Sequence, residues 1–192
     1  MEHGYKIKKI NTKRLVLKKG NEEDYLNVYE YDFTKLKYMN EMIEYVKQNP
    51  RNIKKWFKKG IDNFYLECKL NHMFDWIIFY KNEAIGNILA EENIDDKNIE
   101  IMVNIHPNFW NKGYATEAID NVVDYLISIG YMDIIIRYID GDVKVKHITE
   151  KLGFKPYNIK KDAIKIENSL YDEYYVLMKK EDWLSKTGKI KL

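Results

Sequence analysis

The sequence predicts an α/β fold of the α+β kind: a mixed sheet of about seven strands with helices on both faces. Three observations predict it. Residues 74–105 are rich in β-branched and aromatic residues in short runs separated by polar turns, the pattern of an antiparallel meander. At 115 the period changes. Ala115, Ala118, Ile119, Val122, Val123, Leu126 and Ile127 recur at offsets of 3, 4, 7, 8, 11 and 12, one face of an α-helix. MDIIIRYI at 132–139 is then almost continuously apolar, as a central strand is. Strand, helix and strand in that order imply a parallel pair joined by a right-handed crossover.

The elements follow in order. RLVLK at 14–18 reads as a short strand, and GNEEDY at 20–25 supplies an N-cap and an acidic first turn for a helix. A second helical segment covers roughly 34–48 and stops before Pro50. From 53, Ile53, Trp56, Phe57, Gly60, Ile61, Phe64 and Cys68 fall on one face of a third helix. FDWIIFYK at 74–81 and AIGNILAEE at 84–92 are strands about the hairpin turn KNEA. NIDDKN at 93–98 is another turn, and IEIMVNI at 99–105 a third strand closed by His106-Pro107. The helix from 115 ends at Gly130, and the strand 132–139 is followed by a helix at about 142–152 that ends at Gly153. Residues 154–168 and 171–180 form a last strand pair, and the tail SKTGKIKL reads as disordered. No linker or repeat divides the chain, so one domain is expected over 1–184 with a tail at 185–192.

Charge and composition exclude several function classes. The 32 basic and 30 acidic residues nearly balance, which argues against a nucleic-acid partner. The lysines of KKWFKK at 54–59 alternate with a Trp-Phe pair at helical spacing and read as a solvated helix face. The single cysteine, Cys68, cannot form an intrachain disulfide, and it lies on a helix's apolar face, so a buried thiol in a cytoplasmic protein is expected. The start of the chain has no signal-peptide core, and no stretch approaches the roughly 18–20 apolar residues of a membrane span. His3, His72, His106 and His147 are scattered at no metal-binding spacing, so no metal is expected.

The informative stretch is NFWNKGYATEAI at 108–119. A helix N-terminus leaves N–H groups without partners and carries partial positive charge, which makes it an anion site wherever side chains leave access. Gly113 has no side chain and Ala115 nearly none; Thr116 adds a hydroxyl and Lys112 a charge. The stretch is neither a GxxxxGK[ST] loop nor a dinucleotide fingerprint. A tight strand-to-helix turn, with Gly113 at positive φ, is the alternative reading.

The same residues resemble the P-x-x-W-G-K-G-Y-A-T-E-A signature of the GNAT acetyltransferases, nearest the branch of ribosomal-protein N-terminal and spermidine acetyltransferases. The family loop [QR]-x-x-G-x-[GA] falls on Trp110, Gly113 and Ala115, and Asn111 stands where the branch often has Gly. TKRLVLK at 12–18, AIGNILAE at 84–91, ITEKLGFK at 148–155 and YDEYYVLMKKEDW at 171–183 resemble further branch segments in the right order.

The resemblance implies a GNAT fold and an N-acetyltransferase that uses acetyl-CoA as cosubstrate. The acceptor would be a primary amine of a small molecule or a protein N-terminus, and the protein a monomer or homodimer. It places the pyrophosphate on Asn111, Lys112, Gly113, Tyr114, Ala115 and Thr116, with Trp110 also in the cofactor-binding loop, and the pantetheine arm along Val103, Asn104 and Ile105. It suggests Glu100 as the base acting through water, with His106 as runner-up. It aligns Asp142 with an Asn that bonds the pantetheine arm, Val145 with a small residue, and Thr149 with the tyrosine that some members use as general acid. These departures keep a non-catalytic CoA-sensing protein as the alternative. Acceptor choice is expected from the helices at 21–70 and the strand pair near 160–175.

Overall fold

The computed structural model describes residues 7–29, 73–93, 98–166 and 168–188. The helices expected at 34–48 and 53–68, and Cys68, lie outside the described residues.

Eight strands form one sheet in the order β1-β2-β3-β4-β5-β6-β8-β7. β1 (Ile10–Asn11) and β2 (Leu15–Lys18) lead into α1 (Glu22–Tyr29). Asn21 and Asp24 close a reciprocal capping box at the start of α1: Asp24 N–H donates to Asn21 Oδ1 at 2.9 Å and Asn21 N–H to Asp24 Oδ2 at 2.8 Å. β3 (Met73–Tyr80) and β4 (Glu83–Asn93) are a hairpin, joined by Lys81 and Asn82 at φ of 48° and 69°. Two successive positive φ values give the turn whose twist matches the strands, with only two residues between them.

β5 (Asn98–Ile105) pairs antiparallel with β4, and a short 3-10 turn (Pro107–Phe109) leads to α2 (Tyr114–Ser128). β6 (Asp133–Ile139) returns parallel to β5, the one parallel pair among the described strands. α3 (Val143–Leu152) is followed by β7 (Lys155–Ile166), β8 (Ser169–Lys179) and α4 (Lys180–Thr187).

The outcome differs from the sequence reading at both ends. The pair Ile10–Asn11 adds an eighth strand, too short to show a period. The expected tail begins inside α4, where Trp183 is buried and its indole donates to Asp124. That one aromatic anchor holds a helix whose other residues are mostly polar.

The core lies between one face of the sheet and α2. Trp76, Ile78, Ile88, Ala90, Ile99, Ile101, Ile134 and Ile136 pack with Ala118, Ile119, Val122, Val123 and Leu126. Residues one position along each strand point the other way. That second face carries buried Ile77 and Phe79 together with the polar residues Asp75, Asn87, Glu100, Asn104, Arg137 and Glu173.

Candidate active site

β5 and β6 part company. They are in register at Asn98–Asp133, Ile99–Ile134 and Glu100–Ile135, and there the pairing stops, although β5 runs on to Ile105 and β6 to Ile139. A V-shaped gap opens between them. β4 approaches β5 from its other side with unusual closeness. Ile78 pairs with Gly86 and Phe79 with Ala84, so Ile85 is the extra residue of a bulge. A Cβ on Gly86 would stand 2.1 Å from the Asn104 carbonyl oxygen. His106 N–H donates to Ile85 O at 2.8 Å, which turns the backbone of His106 toward β4. By alternation Asn104 also faces β4, while the backbones of Val103 and Ile105 face the gap. The Ile105 carbonyl there accepts the Trp110 indole N–H at 2.5 Å.

The loop after β5 exposes helix-end amides. Asn111 and Gly113 both hold positive φ, 59° and 76°. Gly113 is the N-cap of α2 and provides no side-chain cap, and the first helical bond runs from Glu117 N–H to Gly113 O at 3.1 Å. The N–H groups of Tyr114, Ala115 and Thr116 therefore precede any helical acceptor. Lys112 Nζ donates to Asn108 O at 2.9 Å and lies 5.1 Å from the Phe109 ring centre. Lys144, in the first turn of α3, sits over the Trp110 ring at 3.4 Å.

The loop is braced from the N-terminal segment. Arg14 donates from Nε to Glu117 Oε2 at 2.6 Å and from Nη1 to Lys112 O at 2.8 Å, and its guanidinium lies over Tyr114. Thr12 Oγ1 and Arg14 N–H both donate to Glu117 Oε1, at 2.6 and 2.7 Å. Burial alone would raise the Glu117 pKa, but these donors and the Arg14 charge outweigh it and hold the carboxylate below its ordinary range.

Glu100 stands where the two strands part, on the face away from α2, and its Oε1 is ion-paired with Arg137 Nε. Arg137 Nη1 also reaches Glu173 at 3.3 Å, and the Tyr175 hydroxyl donates to Glu173 at 2.6 Å. Burial raises the Glu100 pKa, and the Arg137 charge and hydrogen bond oppose that without cancelling it.

The other sequence-derived candidates have structural partners. His106 Nδ1 accepts from Asn108 N–H at 3.2 Å, and burial pushes the imidazole pKa down. Asp142 caps α3 by accepting from Val145 N–H at 3.1 Å. Thr149 is buried, and its hydroxyl donates to Lys146 O at 2.9 Å. The Asn104 amide is exposed and donates to Asn87 Oδ1.

Residues 14–155 match the family model described as an acetyltransferase (GNAT) domain. The chain belongs to the GNAT acetyltransferase family. It is an acetyl-CoA-dependent N-acetyltransferase of that family. An uncharacterized N-acetyltransferase of Bacillus subtilis (strain 168), YnaD, is 28% identical over 181 residues, 91% of this chain and 98% of that protein. A GNAT-family acetyltransferase from Bacillus anthracis superposes with a TM-score of 0.73 at 23% identity, over 91% of this chain and 99% of that one. RimL, the ribosomal L7/L12 α-N-protein acetyltransferase solved with coenzyme A, has a TM-score of 0.77 at 14% identity, over 91% of this chain and 99% of its own. At such identities the two solved structures speak to the fold.

Of the candidate residues, one hydrogen bond joins Ile105 to Trp110, Val103 lies two residues earlier on β5, and Asn111–Thr116 form the loop and first turn of α2. Glu100 lies at the base of the gap, and Asp142 at the start of the helix beyond it. The sequence reading missed Arg14, Glu117 and Arg137. The T-x-R and Y-A-T-E-A segments are both visible in the sequence, but only the fold brings their side chains into contact. No helix among the described residues is long and apolar enough to cross a membrane.

Proposed function

We propose that this GNAT enzyme transfers the acetyl group of acetyl-CoA to a primary amine, of a small molecule or a protein N-terminus, by direct attack on the thioester. The observation that carries the reading is the parting of β5 and β6 next to a helix start whose amides are clear of side chains. The N–H groups of Tyr114, Ala115 and Thr116 suit a pyrophosphate, and Lys112 and Lys144 add positive charge beside them. The pantetheine amides pair with Val103 and with Ile105 N–H, since the Ile105 carbonyl is held by Trp110. An N–H at this edge polarises the acetyl carbonyl as it becomes an oxyanion.

The acceptor approaches from the sheet face opposite α2. Its nitrogen forms a bond to the acetyl carbon, the C–S bond breaks, and the nitrogen's proton passes through water to Glu100. An alkylammonium has a pKa of about 10, so deprotonation must be assisted at neutral pH. Glu100 suits that role, because it is ion-paired with Arg137 and burial makes it more basic than a surface glutamate. His106 suits it less, with its Nδ1 lone pair engaged and its basicity lowered.

The Thr149 hydroxyl is turned inward and donates to Lys146 O, so it does not protonate the departing CoA thiolate, which takes its proton from water. The test is thiol release from acetyl-CoA against a panel of primary amines and short peptides. Acetylated amine and free CoA in equal amounts support transfer. Binding without release at any amine of the panel overturns the primary-amine reading of the acceptor.

A further inference from the structure

Three polar side chains cross the sheet from its interior to its surface. Asp75 on β3 is fully buried, Asn87 on β4 is nearly so, and Asn104 on β5 is exposed. Asn87 Nδ2 donates to Asp75 Oδ1 at 3.1 Å, and Asn104 Nδ2 donates to Asn87 Oδ1 at 3.3 Å. Among the described residues, Asp75 Oδ2 has no hydrogen-bond partner. A buried carboxylate held by a single amide is costly, and an apolar residue would pack as well. The row also has a direction. Burial raises the Asp75 pKa to about 7; above that pH the carboxylate is ionised and only accepts, so Asn87 turns its NH2 inward. Its oxygen then faces Asn104, which must turn its own NH2 inward. The last oxygen of the row, Asn104 Oδ1, is left on the outside.

That outside end is on β5, the strand that borders the gap, although its amide is bonded toward β4. Asn104 lies between Val103 and Ile105, whose backbones face the gap, and its side chain is on the face away from α2. We infer that Asn104 Oδ1 accepts a hydrogen bond from the attacking amine, with Asp75 and Asn87 as positioning residues that fix which end of the Asn104 amide is presented. The inference rests on the proposed transferase reading, since it places the amine at the gap. It makes Asn104 an acceptor-recognition residue, and its ligand class is an N–H donor.

The test uses Asp75→Asn, the double variant Asp75→Asn/Asn87→Asp, and n-butylamine as probe, well above pH 7 so that Asp75 is ionised. In Asp75→Asn every member of the row is an amide, so the row can reverse and present NH2 outward. KM for n-butylamine should rise about tenfold, the loss of one hydrogen bond, with acetyl-CoA affinity and Tm not reduced. In the double variant the carboxylate at 87 accepts from both neighbours. Asn104 Oδ1 is again fixed outward, and KM should return toward wild type.

A structural role would instead lower Tm in both variants and give no rescue. The CoA-loaded wild-type protein is also titrated with n-butylammonium, following the Asn104 carboxamide by NMR. A shift at Asn104, with no acetylation of n-butylamine when acetyl-CoA is supplied, leaves amine recognition at Asn104 standing and sinks the primary-amine reading of the acceptor. Turnover with unchanged KM in Asp75→Asn, or an Asn104 carboxamide that does not respond, overturns the inference.

Discussion

Arg14 Nε lies 2.6 Å from Glu117 Oε2, and this contact ties the first edge of the sheet to the helix that follows the Asn111–Gly113 loop. Glu117 belongs to the first turn of α2, where a carboxylate favours the helix but would repel a bound phosphate. Arg14 cancels that repulsion and holds the Lys112 carbonyl as well. Arg14→Ala should therefore weaken acetyl-CoA binding by about tenfold. It should cost about 1 kcal/mol of stability, a modest figure because the guanidinium is partly exposed. Calorimetric titration and thermal melts check both. The pH sign follows from the lowered Glu117 pKa. The stabilisation is present above the unfolded value of about 4.3 and is lost as pH falls through the lower folded value. Arg14→Ala should show a shallower loss of Tm on acidification.

Gly86 is where β4 and the end of β5 touch most closely. A methyl group there would sit 2.1 Å from Asn104 O and 2.9 Å from Ile105 Cδ1, and one of those partners is backbone. Gly86→Ala should destabilise the protein by about 1–3 kcal/mol, the usual range for overpacking. It should also push the end of β5 into the gap. Melting and a KM for acetyl-CoA measured on the same sample read the two effects together.

Gly113→Glu should abolish acetyl-CoA binding in a folded protein. The carboxylate would stand among the helix-end amides, and φ of 76° is a conformation that costs an L-residue about 1 kcal/mol. Its side chain would enter solvent-exposed space with only Arg14 nearby, so folding should survive. Circular dichroism and calorimetry separate the two outcomes, and unchanged affinity in a folded variant would remove the loop from the binding site.

Glu100 and His106 make opposite claims on the pH profile. The rate should rise with pH as Glu100 loses its proton, along an acid limb above the ordinary glutamate range. Arg137→Gln removes the charge that opposes burial, so that limb should move to higher pH. Glu100→Gln should cut kcat by roughly 100-fold or more with acetyl-CoA affinity retained. His106→Ala should change kcat little. The reverse ranking would move the base to His106.

The parts of this molecule that sequence reveals are those set by local pattern. The 3.6-residue period of α2, the apolar run of β6 and the bare positions Gly113 and Ala115 are each legible within a short stretch of chain. Resemblance added the order of segments and the identity of the loop. What stayed hidden depends on register. Nothing in the spacing of Thr12, Arg14 and Glu117 says that they meet, because about a hundred residues separate them. Asp75, Asn87 and Asn104 sit in three strands whose relative offset is fixed by a two-residue turn and a bulge. Arg137 lies inside a run that reads simply as a central strand, and only the parallel pairing with β5 sets it against Glu100. The capping roles of Asp142 and His106 are local and legible in principle. Asp142 stands at the start of a predicted helix, where aspartate is a common N-cap. The resemblance points to a ligand role there instead.

Calorimetric titration of the purified protein with acetyl-CoA, beside the Gly113→Glu variant, tests the central claim most directly. The gap between β5 and β6 and the amides of Tyr114, Ala115 and Thr116 predict one equivalent bound by the wild-type chain and none by the variant. A well-folded wild-type protein that takes up no acetyl-CoA, or a variant that binds it equally well, would contradict the account.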